Sequence, residues 1–170
     1  MPRCVAVELK REMLDALNSQ LNAELYSAYL YLAMAAYFDS KGLKGFAHWM
    51  RVQAEEEVEH AMKFYDYIND RGGRVILRAI EKPPTEWDSI TDAIRAGLEH
   101  ERAVTEAISS LVDLARKLGD KPTEVFLHWF IEEQVEEEKS FAEILQALQL
   151  AGESPQALLL LDQRLAQRKD

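Results

Sequence analysis

The feature that most constrains this chain is an apolar stripe that recurs in four long segments and is broken in each by an acid. Apolar residues alternate in steps of three and four, the pattern of a helix packed into a bundle. The stripes run over residues 14 to 38, 46 to 68, 94 to 115 and 127 to 148. The acids near their middles are Glu24, Glu57, Glu101 and Glu137. The pattern predicts four core-facing helices that bring four carboxylates together.

Residues that end or cap helices divide these segments from one another. Gly, Pro, Asp and Ser cluster at residues 38–45, 71–89, 118–124 and 151–156. The short first and third breaks predict antiparallel helix pairs, and the long second break predicts one crossover along the bundle. Ser154 and Pro155 are a good N-cap and first-turn pair for a short fifth helix over about residues 155–167. We therefore expect one all-α domain over 1–170, with the bundle at about 6–151.

Length and composition exclude several classes of protein. A chain of 170 residues with 48% hydrophobic residues, 7 Gly and 5 Pro is suited to one compact domain. Its net charge of −10 makes nucleic acid and anionic membranes poor partners and attracts cations. Cys4 is the only cysteine, so neither an internal disulfide nor a CxxC motif is possible. No stretch reads as a secretory leader or membrane span, which predicts a cytoplasmic protein.

The four mid-stripe acids predict bound cations. A charged carboxylate in a low-dielectric core costs several kcal/mol unless it is paired, and four of them also repel one another. No base lies on any stripe near these positions, so two metal ions are the natural partners. His60 follows Glu57 by three residues and shares its side of the helix. Oxygen ligands with one imidazole favour iron or manganese, with zinc as a competitor.

The acidic stretch "EEEVEH" at residues 55–60 has a simpler interpretation when it is taken alone. Such a cluster is usually the solvated face of a helix. The coincidence of a mid-stripe acid on all four helices favours the metal site instead. The residues alone therefore favour a bound metal and leave open whether that metal reacts or only stabilises the helical assembly.

Four stretches carry a resemblance to a known family. They are "NAELYSAYLYLAMAAYFDSKGLKGFAHWM", "EEEVEHAMKFYDYINDRGGR", "EHERAVTEAI" and "FLHWFIEEQVEEEKSF". Over about residues 6–167 the chain resembles the non-haem ferritins of bacteria and archaea. The resemblance implies a ferritin-like four-helix bundle with one long crossover and a short fifth C-terminal helix. It also implies a homo-oligomeric shell of twenty-four subunits that acts as a ferroxidase, oxidises Fe(II) with O2 or peroxide, and stores ferric mineral.

The resemblance also implies the ligands of a di-iron centre. The first iron would be held by Glu24, Glu57 and His60. The second would be held by Glu57 as a bridge, Glu101 and Glu137, with Gln134 nearby. A third iron position toward the cavity would use Glu56, Glu133, Glu136 and Glu137. Tyr31 corresponds to the family's tyrosine beside the centre.

Related families fit less well. Bacterioferritin has a haem-ligand methionine where this chain has Val58, and a histidine where it has Glu137, so no haem is expected. Rubrerythrin needs a pair of CxxC motifs. The mini-ferritins of starved cells build their iron site between subunits and lack a fifth helix. The chain itself departs from the paired Glu-x-x-His pattern of di-iron bundles on helix four, which carries Gln134 and Glu137.

The C-terminal helix predicts contacts between subunits. Residues 158–161 are four consecutive leucines, which cover every side of a short helix. One bundle cannot bury all of them, so we expect part of this run to lie against another copy of the chain.

Overall fold

A computed structural model of the chain describes residues 8–169 and contains five α-helices. They are α1 (Arg11–Ser40), α2 (Lys44–Asp70), α3 (Ile90–Leu118), α4 (Lys121–Ala151) and α5 (Pro155–Leu165). This confirms the predicted all-α bundle with a short fifth helix, whose last turn ends two residues before the expected boundary. Cys4 and the expected start of the bundle near residue 6 lie outside the described residues. None of the helices within residues 8–169 is long and apolar enough to cross a membrane.

The predicted stripes are the buried faces of the four long helices. Every stripe residue is buried except Leu14 near the start of α1, which is half-buried. On α3, Gly97 allows the ring of Phe141 on α4 to pack directly on the backbone. A Cβ at Gly97 would stand 2.3 Å from that ring. The stripe pattern therefore locates the core and the sides on which the helices meet.

Local capping explains where the helices begin and end. The side chains of Ser89, Asp120 and Ser154 each accept a hydrogen bond from a backbone N–H in the first turn of α3, α4 and α5. Gly119 caps the C-terminal end of α3 with a φ of 69°, the left-handed conformation that glycine adopts most easily. Gly119 and Asp120 alone connect α3 to α4, so these helices are antiparallel neighbours, as are α1 and α2.

The crossover between α2 and α3 runs along the length of α1. Near its start, the Asn18 side chain donates to the Arg74 carbonyl at 3.0 Å and accepts from the Ile76 N–H at 2.8 Å. Near its end, the Tyr37 hydroxyl donates to the Trp87 carbonyl at 3.2 Å. The two anchors on α1 lie about 28 Å apart at 1.5 Å per helical residue. This confirms the single long crossover.

The core consists of two apolar clusters with a polar layer between them. One cluster surrounds the α1–α2 connection and includes Phe38, Phe46 and Phe141. The other lies toward the α3–α4 connection and includes Phe64 and Phe130. The four mid-stripe carboxylates occupy the layer between the clusters, at the middle of each long helix. The bundle therefore places these four carboxylates at one depth, away from both ends.

The fifth helix docks on the first turn of α2. The Phe46 N–H donates to the Asp162 carboxylate at 2.9 Å, and Gly45 lies so close that a Cβ there would be 1.7 Å from the Asp162 carbonyl oxygen. Leu165 joins the apolar cluster near the α1–α2 connection. In contrast, Leu159 and Leu160 are 58% and 71% exposed. The fifth helix is thus fixed on one side, and its other, apolar side is not covered by the residues that the structure describes.

Candidate metal centre

The four mid-stripe carboxylates lie in the core, one on each long helix. Glu24, Glu57, Glu101 and Glu137 are all almost completely inaccessible to solvent. His60, one turn after Glu57, is buried with them. Their backbone positions follow from the stripe spacing, since each acid replaces an apolar residue on the face that points to the bundle axis.

Two groups of potential ligand atoms lie side by side in this layer. The first comprises Glu24, Glu57 and His60, and the second comprises Glu57, Glu101 and Glu137. Within each group, one atom from every residue lies within 4.8 Å of the others. Glu57 belongs to both groups, and its carboxylate stands between those of Glu24 and Glu101. The arrangement could hold two ions that share one carboxylate.

Glutamine side chains orient Glu24 and Glu137. The Gln20 amide donates to Glu24 Oε1 at 2.9 Å from one turn earlier on α1. The Gln53 amide donates to Glu137 Oε2 from α2. The second oxygen of Glu24, Oε2, is buried and receives no hydrogen bond from an amide, hydroxyl or backbone donor of residues 8–169. A buried acceptor without a partner is costly, so this atom fits a site that a cation completes.

The second group has two further hydrogen bonds on Glu101. The Tyr31 hydroxyl donates to Glu101 Oε1, and the Gln134 amide donates to Glu101 Oε2 at 3.0 Å. The same amide nitrogen also lies 3.2 Å from the Glu101 carbonyl. Tyr31 and Gln134 therefore contact a member of the candidate centre directly, in the region where they were expected.

Burial and mutual repulsion make these carboxyls weak acids. Burial raises the pKa of Glu24 to about 7, against the hydrogen bond from Gln20 that lowers it. Burial, followed by the charge of Glu101, raises the pKa of Glu137 to about 8. The same two causes raise the pKa of Glu57 well above its ordinary value. The metal-free centre therefore keeps protons that a cation would replace.

His60 is in the form that can bind a metal. Burial, with a smaller contribution from the Lys63 ammonium, lowers the pKa of His60 to about 4. The ring is therefore neutral near pH 7, with Nδ1 3.2 Å from Glu57 Oε2. It packs edge-on against Trp129 and Phe130, at centroid distances of 5.4 and 6.1 Å. These contacts set the orientation of the imidazole.

The acids expected at a third site are not all brought together. Glu133 joins His60 and Glu137 in a third group of potential ligand atoms. Glu56 is instead bound by Arg168, whose Nη2 lies 2.5 Å from Glu56 Oε2. Glu136 is an exposed side chain, 3.4 Å from the Lys139 ammonium. The charges of Glu56 and Glu136 still contribute, after burial, to a raised pKa of Glu133. The third site stays a prediction.

The stretch "EEEVEH" divides between the core and the solvent. Glu55 and Glu59 are exposed, whereas Glu57 and His60 point into the bundle and Glu56 is half-buried at its edge. Both interpretations of this stretch therefore apply, each to different residues of the same helix.

Three residues that contact this layer or its edge were missed by sequence reasoning. Gln53 lies on the predicted stripe of α2, and its polarity at an apolar position was a signal. Gln20 also left a signal, since it lies four residues before a mid-stripe acid. Arg168 left none, because it contacts α2 across 112 to 119 residues of chain.

Four long helices in two antiparallel pairs, around a layer of carboxylates and one imidazole, define a class of helical-bundle protein that could hold two metal ions. Comparison with known proteins agrees. The family described as Ferritin-like domain matches residues 14–151. The bacterial non-heme ferritin of Staphylococcus saprophyticus is 45% identical over 160 residues, which are 94% of this chain and 96% of the relative. That of Staphylococcus aureus is 40% identical with the same coverage.

Solved structures show the same relationship. An open-pore ferritin from the archaeon Archaeoglobus fulgidus superposes with a TM-score of 0.94 at 53% identity, covering 95% of this chain and 98% of that one. A closed form of that ferritin, engineered by mutagenesis, matches with the same score and identity and is covered to 99%. The chain belongs to the ferritin family.

Proposed function

We propose that this chain stores iron, and that it oxidises Fe(II) with O2 at the paired ligand groups before the ferric product enters a multi-subunit shell. The observation that carries the proposal is that Glu57 belongs to two adjacent groups of ligand atoms. Two Fe(II) ions beside one shared carboxylate can together give the two electrons that reduce O2 to peroxide. The similar proteins named above are ferritins, which supports iron as the substrate.

The donor set suits iron in both oxidation states. Carboxylate oxygens stabilise Fe(III) more than Fe(II), because the more highly charged ion gains more from anionic ligands. The first group adds the neutral imidazole of His60, whereas the second group has carboxylates only. Glu24 Oε2 offers a buried acceptor that no amide, hydroxyl or backbone donor in the described part of the chain pairs with. The site therefore favours oxidation of Fe(II) that enters it.

The residues of the centre have distinct roles in this proposal. Glu24, Glu57 and Glu137 release protons when Fe(II) binds, since burial and repulsion keep them partly protonated beforehand. Gln20 holds Glu24 on the first ion. Tyr31 holds Glu101 on the second ion through its hydroxyl.

Iron then moves from the centre toward the cavity. Glu133 lies beside His60 and Glu137, so an ion can pass from the second group to the third without leaving carboxylate ligands. Glu56 and Glu136 carry further charge at this edge. We therefore propose a third, transient iron position that uses Glu133 and Glu137, with Glu56 and Glu136 beside it.

Uncovered apolar surfaces support assembly into a shell. Leu150 on α4 is 82% exposed, and Leu159 and Leu160 are exposed on α5. A separate apolar groove between α1 and α2 is lined by Tyr29, Leu32, Val58 and Ile80 among others. Apolar patches of this kind mark contacts between proteins. We propose that copies of this chain cover them in a cytoplasmic homo-oligomer of twenty-four subunits.

Val58 lies on this groove where a haem-binding relative has a ligand methionine, and valine cannot bind haem iron. The bacterial relatives are non-heme ferritins, which supports the same expectation for this chain. The proposal therefore includes no haem.

Aerobic addition of Fe(II) to the metal-free protein tests this function. We expect rapid oxidation, followed by a soluble ferric core of many atoms per subunit. Glu57→Ala removes the shared ligand and should abolish the fast phase, whereas Glu59→Ala, on the exposed side of the same helix, should not. A stoichiometric, colourless complex in the parent protein would instead indicate a purely structural metal site.

A further inference from the structure

The segment that follows α5 reaches the candidate metal centre. Arg168 lies three residues beyond the end of α5 and packs on α2. Its guanidinium donates from Nη1 to Gln53 Oε1 at 2.9 Å and to the Trp49 carbonyl at 3.3 Å, and from Nη2 to Glu56 Oε2 at 2.5 Å. It also lies 4.4 Å from the centroid of the Trp49 ring. The Arg168 carbonyl is 2.8 Å from His48 Nε2, so backbone and side chain are both held.

Arg168 determines the orientation of the Gln53 amide. A guanidinium has donors and no acceptor, so only the oxygen of the amide can face it. The Gln53 NH2 group then points to Glu137 and donates to its Oε2. When Glu137 is ionised, as a bound metal requires, a reversed amide would place its NH2 against the guanidinium donors and its oxygen against the carboxylate oxygen. Gln53 is completely buried, so water cannot relieve such a mismatch.

Glu137 is the carboxylate on which this connection ends. It belongs to the second ligand group and not to the first. The first group depends on a different amide, that of Gln20 on α1, which donates to Glu24. Removing the guanidinium of Arg168 should therefore weaken binding of the second ion more than binding of the first.

We propose that Arg168 is a positioning residue for the second metal ion, acting through Gln53 on Glu137. The inference rests on the proposed two-ion centre and adds to it a residue that is remote in sequence. Partners that orient a metal ligand typically change metal affinity by about 10- to 100-fold when they are removed. The C-terminal segment is therefore part of the metal centre although it supplies no ligand.

Anaerobic calorimetry with Co(II), a spectroscopic ion that does not turn over, tests the inference on the assembled protein. In Arg168→Met the aliphatic stem remains and the donors are lost. We expect the second Co(II) to bind about tenfold or more weakly, while the first binds with unchanged affinity. The Co(II) absorption bands of the second ion should shift as well. Lys169→Met removes the same charge from the neighbouring exposed position and should leave both affinities unchanged.

Two further variants separate positioning from general destabilisation. Arg168→Lys keeps a donor that can reach Gln53, so part of the second affinity should return. Gln53→Met should weaken the second ion as Arg168→Met does, and the double variant should be no weaker than Gln53→Met alone. Three results would each overturn the inference. They are additive losses of affinity for the second Co(II) in the double variant, equal losses of affinity for both Co(II) ions, and an unchanged affinity for the second Co(II) in Arg168→Met. A parent protein that binds fewer than two Co(II) ions per subunit would overturn the two-ion centre itself.

Discussion

Titration of the metal-free protein with Co(II) at pH 7 should release more than one proton per subunit. Ligand carboxyls must lose their protons when a metal binds. With pKa values of about 7 and 8, Glu24 is about half protonated and Glu137 about nine-tenths protonated at pH 7. Together they contribute about 1.4 protons, and Glu57, whose pKa is also raised, adds to this. His60 contributes none, because its pKa of about 4 leaves it neutral.

Raising the pH tests the origin of these protons. At pH 8.5, Glu24 and Glu137 together retain only about a quarter of a proton before metal binds, so their release should fall by about one proton per subunit. Ionisation of water on the bound metal would change in the opposite direction, because it increases with pH. The sign of the change in proton release between pH 7 and pH 8.5 therefore distinguishes the two sources.

The release can be measured by calorimetry in two buffers with different protonation enthalpies, at both pH values. Glu57→Ala serves as the reference, since it removes the residue common to both ligand groups. Release below half a proton at pH 7, or release that grows between pH 7 and 8.5, would refute the argument that burial keeps these acids protonated.

Three other predictions concern stability, assembly and affinity. Between pH 6.5 and 8 the unfolding free energy of the metal-free protein should fall as pH rises, because the native state keeps protons that unfolded carboxyls have already lost. Chemical denaturation at the two pH values measures this, and an unfolding free energy that stays constant or rises with pH would contradict it. Deletion of residues 153–170 should leave helical subunits that form incomplete or leaky shells, and closed, iron-retaining shells by light scattering and iron loading would count against this. The double change Gln134→Glu with Glu137→His places Glu-x-x-His on α4. It should tighten binding of the second ion and slow repeated turnover, while the first burst of oxidation survives. An unchanged calorimetric affinity for the second ion would contradict the idea that these two residues make that ion labile.

The fold was largely predictable because its signal is local and repeated. Steps of three and four residues locate the buried face of each long helix, and the acids on those faces share one depth once the topology is known. Glu57 and His60 also share a side of α2 by spacing alone. The central layer therefore followed from periodicity and the cost of buried charge.

The edge of the centre could not be predicted in the same way. Glu56, Glu133 and Glu136 lie beside the stripes, where a small rotation of the helix decides whether a side chain faces the core or the solvent. Glu133 turns toward His60, whereas Glu136 faces solvent and Glu56 is bound by a guanidinium. The contact of Arg168 with α2 spans more than one hundred residues, and a contact of that separation leaves no periodic signal.

The polar layer between the two apolar clusters has a consequence for how the subunit unfolds. The clusters at the two ends are separate, so the middle of the bundle lacks the continuous apolar contact that makes a core open as one unit. Without metal, each end of the bundle can open with its own free energy. The two halves of each long helix should therefore differ in their protection from amide hydrogen exchange. In the proposed two-ion centre, ions held by ligands from all four helices would join the two ends into one cooperative unit. Iron supply would then set how often the subunit opens locally, and through that its exposure to proteolysis.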